Sequence, residues 1–213
     1  MSLVIKKIPV TDWEQNCRLV IDSETSEVVV VDPGGDAKKI AKYIQEQELK
    51  IIAIWLTHSH LDHCGGVAEL KELYNVPLYG HRIESEFRSH VEDLLKMYGV
   101  SSNTMQNCPE PEFYIEEGQT VSCGAYDFTV LFVPGHSPGH VVFYNAANSE
   151  LLAGDTVFKG SIGRTDLPGG NHKLLIEGIR SKILSLPANT KILPGHGDDT
   201  TVGAESKSNP FLV

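Results

Sequence analysis

The segment IIAIWLT, residues 51–57, runs directly into HSHLDHCGG, residues 58–66. The first part is a continuous apolar run of strand length, which reads as a strand buried on both faces. The second part places His58, His60, Asp62 and His63 within six positions. A fold that accepts this chain must let the C-terminal end of a buried strand open onto a site, which is where α/β sheets usually receive ligands. Residues two apart on an extended segment face the same way, so His58 and His60 point together. Asp62 and His63 fall on the following turn and point to an adjacent place. That arrangement suits two metal ions side by side, and the ligand types match zinc or iron chemistry. Gly65 and Gly66 then let the backbone turn into a helix packed close by.

Four residues cannot complete two sites. Three other stretches share the same form, a ligand-type side chain in a Gly/Pro-rich turn after an apolar strand. They are LFVPGHSPGH with His136, ELLAGDTVF with Asp155 and TKILPGHGDD with His196. Any one alone reads as a loop; together with the cluster they supply seven ligands for two ions. His81, His90, His140 and His172 remain unassigned. His140 lies four residues after His136 and needs a helical turn to share its ion, which Pro138 disfavours. It therefore reads as structural, or as a support for a ligand.

The rest of the chain reads as alternating strands and helices. Strands are expected at 3–10, 17–22 and 27–32, the last ending at Asp32. The turn PGGD follows, with Asp36 as N-cap of a helix over 37–48 whose Ala37, Ile40, Ala41 and Ile44 form one buried stripe. A helix over 67–74, a strand over 76–80, a long helix over 82–99 and a loop over 101–112 come next. Strands are then expected at 119–124, 126–135, 140–145 and 150–155, a helix at 172–186, a strand at 190–195 and a polar tail. Two halves of strands, helix and strand imply layered α/β packing in one domain spanning 1–213.

With 213 residues, 41% of them hydrophobic, the chain can bury one sizeable core. Its 18 Lys and Arg against 28 Asp and Glu give a net charge of −10, with no basic face for nucleic acid. The N-terminus lacks the pattern of a signal peptide, and no window reaches the ~18 apolar residues of a membrane span. A cytoplasmic protein is expected, with no nucleic-acid or membrane partner, as monomer or homodimer. Cys17, Cys64, Cys108 and Cys123 form no C-x-x-C pair and read as reduced thiols. Cys64, beside His63, can lie near a metal without being a ligand.

THSHLDH, followed in order by PGH, GD and PGHG, resembles the metallo-β-lactamase superfamily from VDPGG to PGHG. Within it, DPGGD, HSPGHVVFY, GDTVFKGSIGRTD and NPFL look closest to the compact bacterial glyoxalase II-like hydrolases. The resemblance implies an αββα sandwich, two mixed β-sheets flanked by helices. It implies that His58, His60 and His136 bind one metal, that Asp62, His63 and His196 bind a second, and that Asp155 bridges them. Asp32 stands where the family often supports a metal-binding histidine, although a strand-ending turn former also accounts for it. Two divalent ions are implied, zinc first, with iron or manganese as alternatives. Asp62 and Asp155 are then the catalytic carboxylates that hold a bridging hydroxide, which attacks a carbonyl.

A thiolate, whose parent thiol has a pKa of about 8.5, leaves without protonation, and the motifs show no spare acid. This favours a small-molecule thiolester, and the resemblance points to hydroxyacyl-glutathione such as S-D-lactoylglutathione. Larger members carry a C-terminal helical domain with glutathione contacts; this sequence runs seventeen residues past His196, so that domain is expected to be absent. Lys159 and Arg164 are the best candidates to anchor a substrate carboxylate, and either alone also reads as a solvated loop charge. Tyr144 and Phe158 read as core, or else as pocket wall. Rival readings are a mononuclear iron persulfide dioxygenase of the same fold, using His58, His136 and Asp155, and a non-catalytic metal-binding protein. A β-lactamase, a diiron reductase and an RNase of this fold each lack an expected feature.

Overall fold

The computed structural model describes residues 2–100 and 104–213. The first sheet is built from β1 (Leu3–Val10), β2 (Gln15–Asp22), β3 (Glu27–Val31), β4 (Lys50–Trp55), β5 (Leu78–Gly80) and β6 (Phe113–Tyr114), adjacent in that order. β1 to β3 are antiparallel, and β3 to β6 run parallel. Between its strands lie α1 (Ala37–Glu46), α2 (Leu61–Cys64), α3 (Val67–Tyr74), α4 (Ser85–Ser89) and α5 (Val91–Met97). The second sheet contains β7 (Thr120–Cys123), β8 (Tyr126–Phe132), β9 (Val141–Asn145), β10 (Glu150–Gly154), β13 (Lys191–Pro194) and β14 (Thr200–Thr201), in the order β14-β13-β10-β9-β8-β7. A separate ribbon pairs β11 (Val157–Phe158) with β12 (Ser161–Ile162), and α6 (His172–Gly178) and α7 (Val202–Ser208) complete the chain.

The continuous apolar strands are explained by the layers they separate. Along β3, Val28 and Val30 enter the core under α1 and α3, while Val29 and Val31 enter the core between the sheets. Along β9 and β10, Val142 and Leu151 face the core under α6, and Phe143 and Leu152 face the other sheet. Strands with a period of two and both faces buried read as unbroken apolar runs. Trp55 sits between the sheets, 5.5 Å from the ring of Phe128 and 5.2 Å from that of Phe143. The architecture is therefore the αββα sandwich of two mixed sheets.

Several expectations need correction. Asp36 occupies the N-cap position of α1, but its side chain caps nothing; its carboxylate accepts the Thr11 N–H at 2.8 Å instead. The long helix over 82–99 is broken into a short 3₁₀ turn, α4 and α5. A continuous helix would bond the Glu92 amide to the Arg88 carbonyl. Here the Glu92 amide donates to Asn107 Oδ1, and the Arg88 carbonyl accepts from the Cys108 amide. The expected helix over 172–186 is α6, capped by Asn171, followed by a wider π turn over Ile179–Ile183. The tail carries β14 and α7, with Thr201 accepting the Ala204 N–H and Leu212 buried in the third core. Of the expected loop over 101–112, residues 104–112 have no regular structure and 101–103 lie outside the described residues.

Candidate metal centre

The C-terminal ends of β3, β4, β10 and β13 meet at one rim of the sandwich. They deliver Asp32, the His58–His63 segment, Asp155 and His196 there, and the turn before β9 adds His136. His58, His60 and His136 each offer a ligand atom, all within 4.8 Å of one another. Asp62, His63 and His196 form a second set by the same measure. Asp155 lies between them: Oδ1 is 3.3 Å from His63 Nε2, and Oδ2 is 3.6 Å from Nε2 of both His136 and His196. His196 Nε2 also lies 3.1 Å from Asp62 Oδ2. Two metal–ligand bonds of zinc length at a tetrahedral angle place their ligand atoms about 3.3 Å apart, so these spacings fit shared ions.

Outer partners fix the rings. His63 Nδ1 donates to Asp32 Oδ2 at 3.0 Å, which turns Nε2 toward the site. Asp32 also accepts the Thr57 amide at 2.7 Å and hydroxyl at 2.6 Å, and Thr57 Oγ1 lies 3.1 Å from His58 Nδ1. Asp32, His58 and His63 satisfy the ligand-distance criterion as a third set. Asp32 is better described as a support, because both its oxygens already hold these hydrogen bonds. The turn-former reading holds as well: Asp32 is at φ 52°, a left-handed conformation that Asp tolerates. His136 Nδ1 donates to the Arg164 carbonyl at 2.8 Å, leaving Nε2 2.9 Å from His60 Nδ1. His140 accepts the Asp155 amide on Nε2 at 3.0 Å and stacks on His58, so it supports the site from behind.

The donor set fits a metal pair by a further test. His58 Nε2, His60 Nε2, His63 Nε2 and Asp155 Oδ1 are buried without a hydrogen-bond partner. Buried polar atoms are rarely left so; cations would satisfy His58 Nε2 and the facing pair His63 Nε2 and Asp155 Oδ1, whereas His60 faces His136 through Nδ1 and its Nε2 lies on the other side of the ring. Burial, aided by neighbouring imidazoles, holds His58 well below the usual histidine range and lowers His60 to about 3. Both are then neutral and ready to ligate. Burial opposes the charge on His63, but Asp155 and Asp32 outweigh it and raise its pKa well above the ordinary value. Burial likewise opposes ionisation of Asp62 and Asp155, and the surrounding histidines overcome it, so both carboxylates titrate below their usual range.

Sequence reasoning missed the residues that hold the ligand loops together. Glu84, fully buried, accepts the amides of Ser59 and Gly139 and so joins the His58–His60 loop to the His136–His140 turn. Asn16 donates to the carbonyls of Pro194 and Gly197, and buried Arg18 reaches Pro194 and Asp199, together fastening the His196 loop. The only sequence signal is polar residues inside apolar strand runs, Gln15, Asn16 and Arg18 among them. Glu84 sits in a charged stretch that looks solvated. The four cysteines are free and buried; Cys64 Sγ donates to the Ser59 carbonyl and belongs to none of the donor sets.

A cleft of about 790 Å³ opens above the two donor sets. Phe158 lines it, whereas Tyr144 packs partly buried in the third core. Arg164 lines it too, with its guanidinium bound to both oxygens of Asp166 at 2.8 and 2.7 Å. Lys159 is not among its lining residues; its exposed ammonium lies 3.2 Å from Asp198. Each proposed anchor therefore already holds a carboxylate. Among the described residues no helix is long and apolar enough to cross a membrane.

Two mixed sheets with a rim of histidine and aspartate donors define an αββα sandwich that carries a candidate metal centre at one edge. The chain belongs to the metallo-β-lactamase superfamily, whose family model matches residues 10–196. It is 37% identical over 209 residues to hydroxyacylglutathione hydrolase GloC of Haemophilus influenzae, covering 98% of this chain and 97% of that one. The crystal structure of BLEG-1 B3 metallo-beta-lactamase superposes with a TM-score of 0.90 at 34% identity, over 98% of this chain and 99% of that one. TTHA1623, solved in a di-iron-bound form, gives a TM-score of 0.88 at 37% identity, over 97% of this chain and 100% of its own.

Proposed function

We propose that this protein is a dinuclear metal-dependent hydrolase of thiolesters, with S-D-lactoylglutathione as the reference substrate. The position of Asp155 carries the reading: its Oδ2 lies 3.6 Å from His136 of one donor set and from His196 of the other, and its Oδ1 lies 3.3 Å from His63, where a shared ligand of two ions would sit. His58, His60 and His136 hold one ion, Asp62, His63 and His196 the other, and zinc, iron and manganese all suit such donors. The GloC relative supports the substrate class, and the di-iron form of TTHA1623 supports two ions.

Bound there, two divalent ions supply Lewis acidity that activates water near neutral pH and polarises a carbonyl. Asp62 and Asp155 face the floor of the cleft, where they orient the attacking water. They are the only carboxylates among the described lining residues, and both are held ionised. Neither can then protonate a leaving group. An amine or alkoxide needs that proton, whereas a thiolate leaves without it, which favours thiolesters.

The first test is metal content per chain on anaerobically purified protein, with S-D-lactoylglutathione hydrolysis assayed on the same sample. Two ions with hydrolysis support the reading. One iron, oxygen uptake on glutathione persulfide and no hydrolysis would hand the site to dioxygenase chemistry.

The titrations add a pH dependence. In the metal-free protein, carboxylates outweigh burial at both His63 and His196 and raise them above the ordinary histidine value. A raised folded-state pKa contributes stability that is present below about pH 6.5 and lost as pH rises through the raised value. Metal uptake in that set must expel these protons, so its affinity should rise with pH above 6.5 by up to about tenfold per unit for each proton displaced. The measurement is calorimetric metal titration in buffers of different ionisation enthalpy. No proton release, with pH-independent affinity, counts against His63 and His196 as ligands.

A further inference from the structure

The cleft above the donor sets has a polar floor and an apolar upper wall. Trp13 enters from the β1–β2 turn, Phe87 from α4, Tyr98 from the end of α5, and Phe158 and Leu167 from the second half of the chain. Two of these rings flank the floor directly. Phe87 stands edge-to-face with His60, at 5.4 Å between centroids, and Phe158 does so with His196, at 6.3 Å. The rings farther out remain open to solvent: Trp13 is 38% exposed and Tyr98 54%. Large apolar side chains from separate stretches, two of them open to solvent and the rest half-buried, line one cleft with a chemical site and form a binding surface for apolar matter.

Charge narrows the class further. Among the described residues Arg164 is the only Lys or Arg on the lining, and both oxygens of Asp166 already hold it. Glutathione carries two carboxylates and one ammonium at neutral pH. Laying a carboxylate against this wall strips its water and offers no free cation in return, which is unfavourable. An aromatic or alkyl group loses nothing by the same move and removes apolar surface from water.

Resting on the thiolester reading above, we infer that the thiol arm of the substrate lies along the Trp13–Phe87–Tyr98–Leu167 wall and is apolar and uncharged. Hydrolysis adds water across the acyl C–S bond: the acyl carbon gains the oxygen and leaves as the acid, and sulfur takes the electron pair as thiolate. The arm itself is chemically unchanged, so the wall selects by binding alone.

The test uses the metal-loaded protein and two pairs of compounds with the same hydroxyacyl group. One pair is S-D-lactoylglutathione and the S-D-lactoyl thiolester of benzyl mercaptan. The other is their non-cleavable analogues, in which a methylene replaces the thiolester carbonyl. Kinetics are measured on the first pair and calorimetric binding on the second. The benzyl analogue should bind at least about tenfold more tightly, the effect of burying much of one ring. Its thiolester should show the lower KM. Trp13→Ala and Tyr98→Ala remove exposed side chains that the fold does not need, and each should shrink the preference severalfold. Equal or tighter binding of the glutathione analogue, or a preference unmoved in both variants, overturns the inference. If binding ranks as expected and neither thiolester is cleaved, the hydrolase reading falls while the wall stands as the apolar subsite.

Discussion

Asp155→Ala should lower the metal content of the loaded protein from two ions per chain to one or none, and cut kcat/KM by roughly 10³-fold or more. The argument is geometric. His63, His136 and His196 come from three different segments, and Asp155 lies within 3.3–3.6 Å of all three. Removing its carboxylate also takes away the negative charge that offsets two cations in a buried setting, where an uncompensated charge is most costly. The backbone role survives, because the Asp155 amide still donates to His140 in the variant. The fold should therefore persist, and circular dichroism should match that of the parent. Full occupancy by two ions with normal turnover would sink the assignment of Asp155 as the shared ligand.

Gly34→Ala should destabilise the protein by about 3 kcal/mol or more and loosen the second ion. A Cβ on Gly34 would lie 1.5 Å from the Asp62 carbonyl oxygen and 2.4 Å from its carbon. Those are backbone atoms of α2, the helix that presents Asp62 and His63, so no rotamer change relieves the clash. Either α2 moves or the PGG segment does, and either shift disturbs the second donor set. Gly118 provides the control. It has φ 79° with nothing within 4 Å of an added Cβ, so Gly118→Ala meets only the left-handed backbone penalty of about 1–2 kcal/mol and should keep both ions. Chemical denaturation and metal analysis on both variants separate the two effects. Equal losses in the two, with metal retained, would refute the close-packing explanation for Gly34.

The sequence by itself determined the donors and the strands that carry them. Strand periodicity and ligand spacing are local properties, readable within ten residues, and a run such as EVVVV has few uses other than separating two cores. By the same logic THSHLDH pointed to a metal pair before any partner was known. Gly65 and Gly66 are legible as the turn into a closely packed helix, and it is the packing that requires them. Neither has positive φ; Gly66 is small because a Cβ would come within 2.8 Å of the Pro33 carbonyl oxygen.

Only the tertiary structure decided which distant groups meet. His60 faces His136 across 76 residues of sequence, and Asp62 faces His196 across 134. Glu84 becomes a buried clamp because the amides of Ser59 and Gly139 converge on it, and nothing in RIESEFR distinguishes it from a solvated acid. The helix over 82–99 breaks because residues 107–108 compete for its hydrogen bonds. The apolar wall exists only where the turn before β2, α4, the end of α5 and the segment after β12 come together. Burial of charge, competition for backbone groups and the shape of a cleft are set by long-range contacts, and no local pattern encodes them.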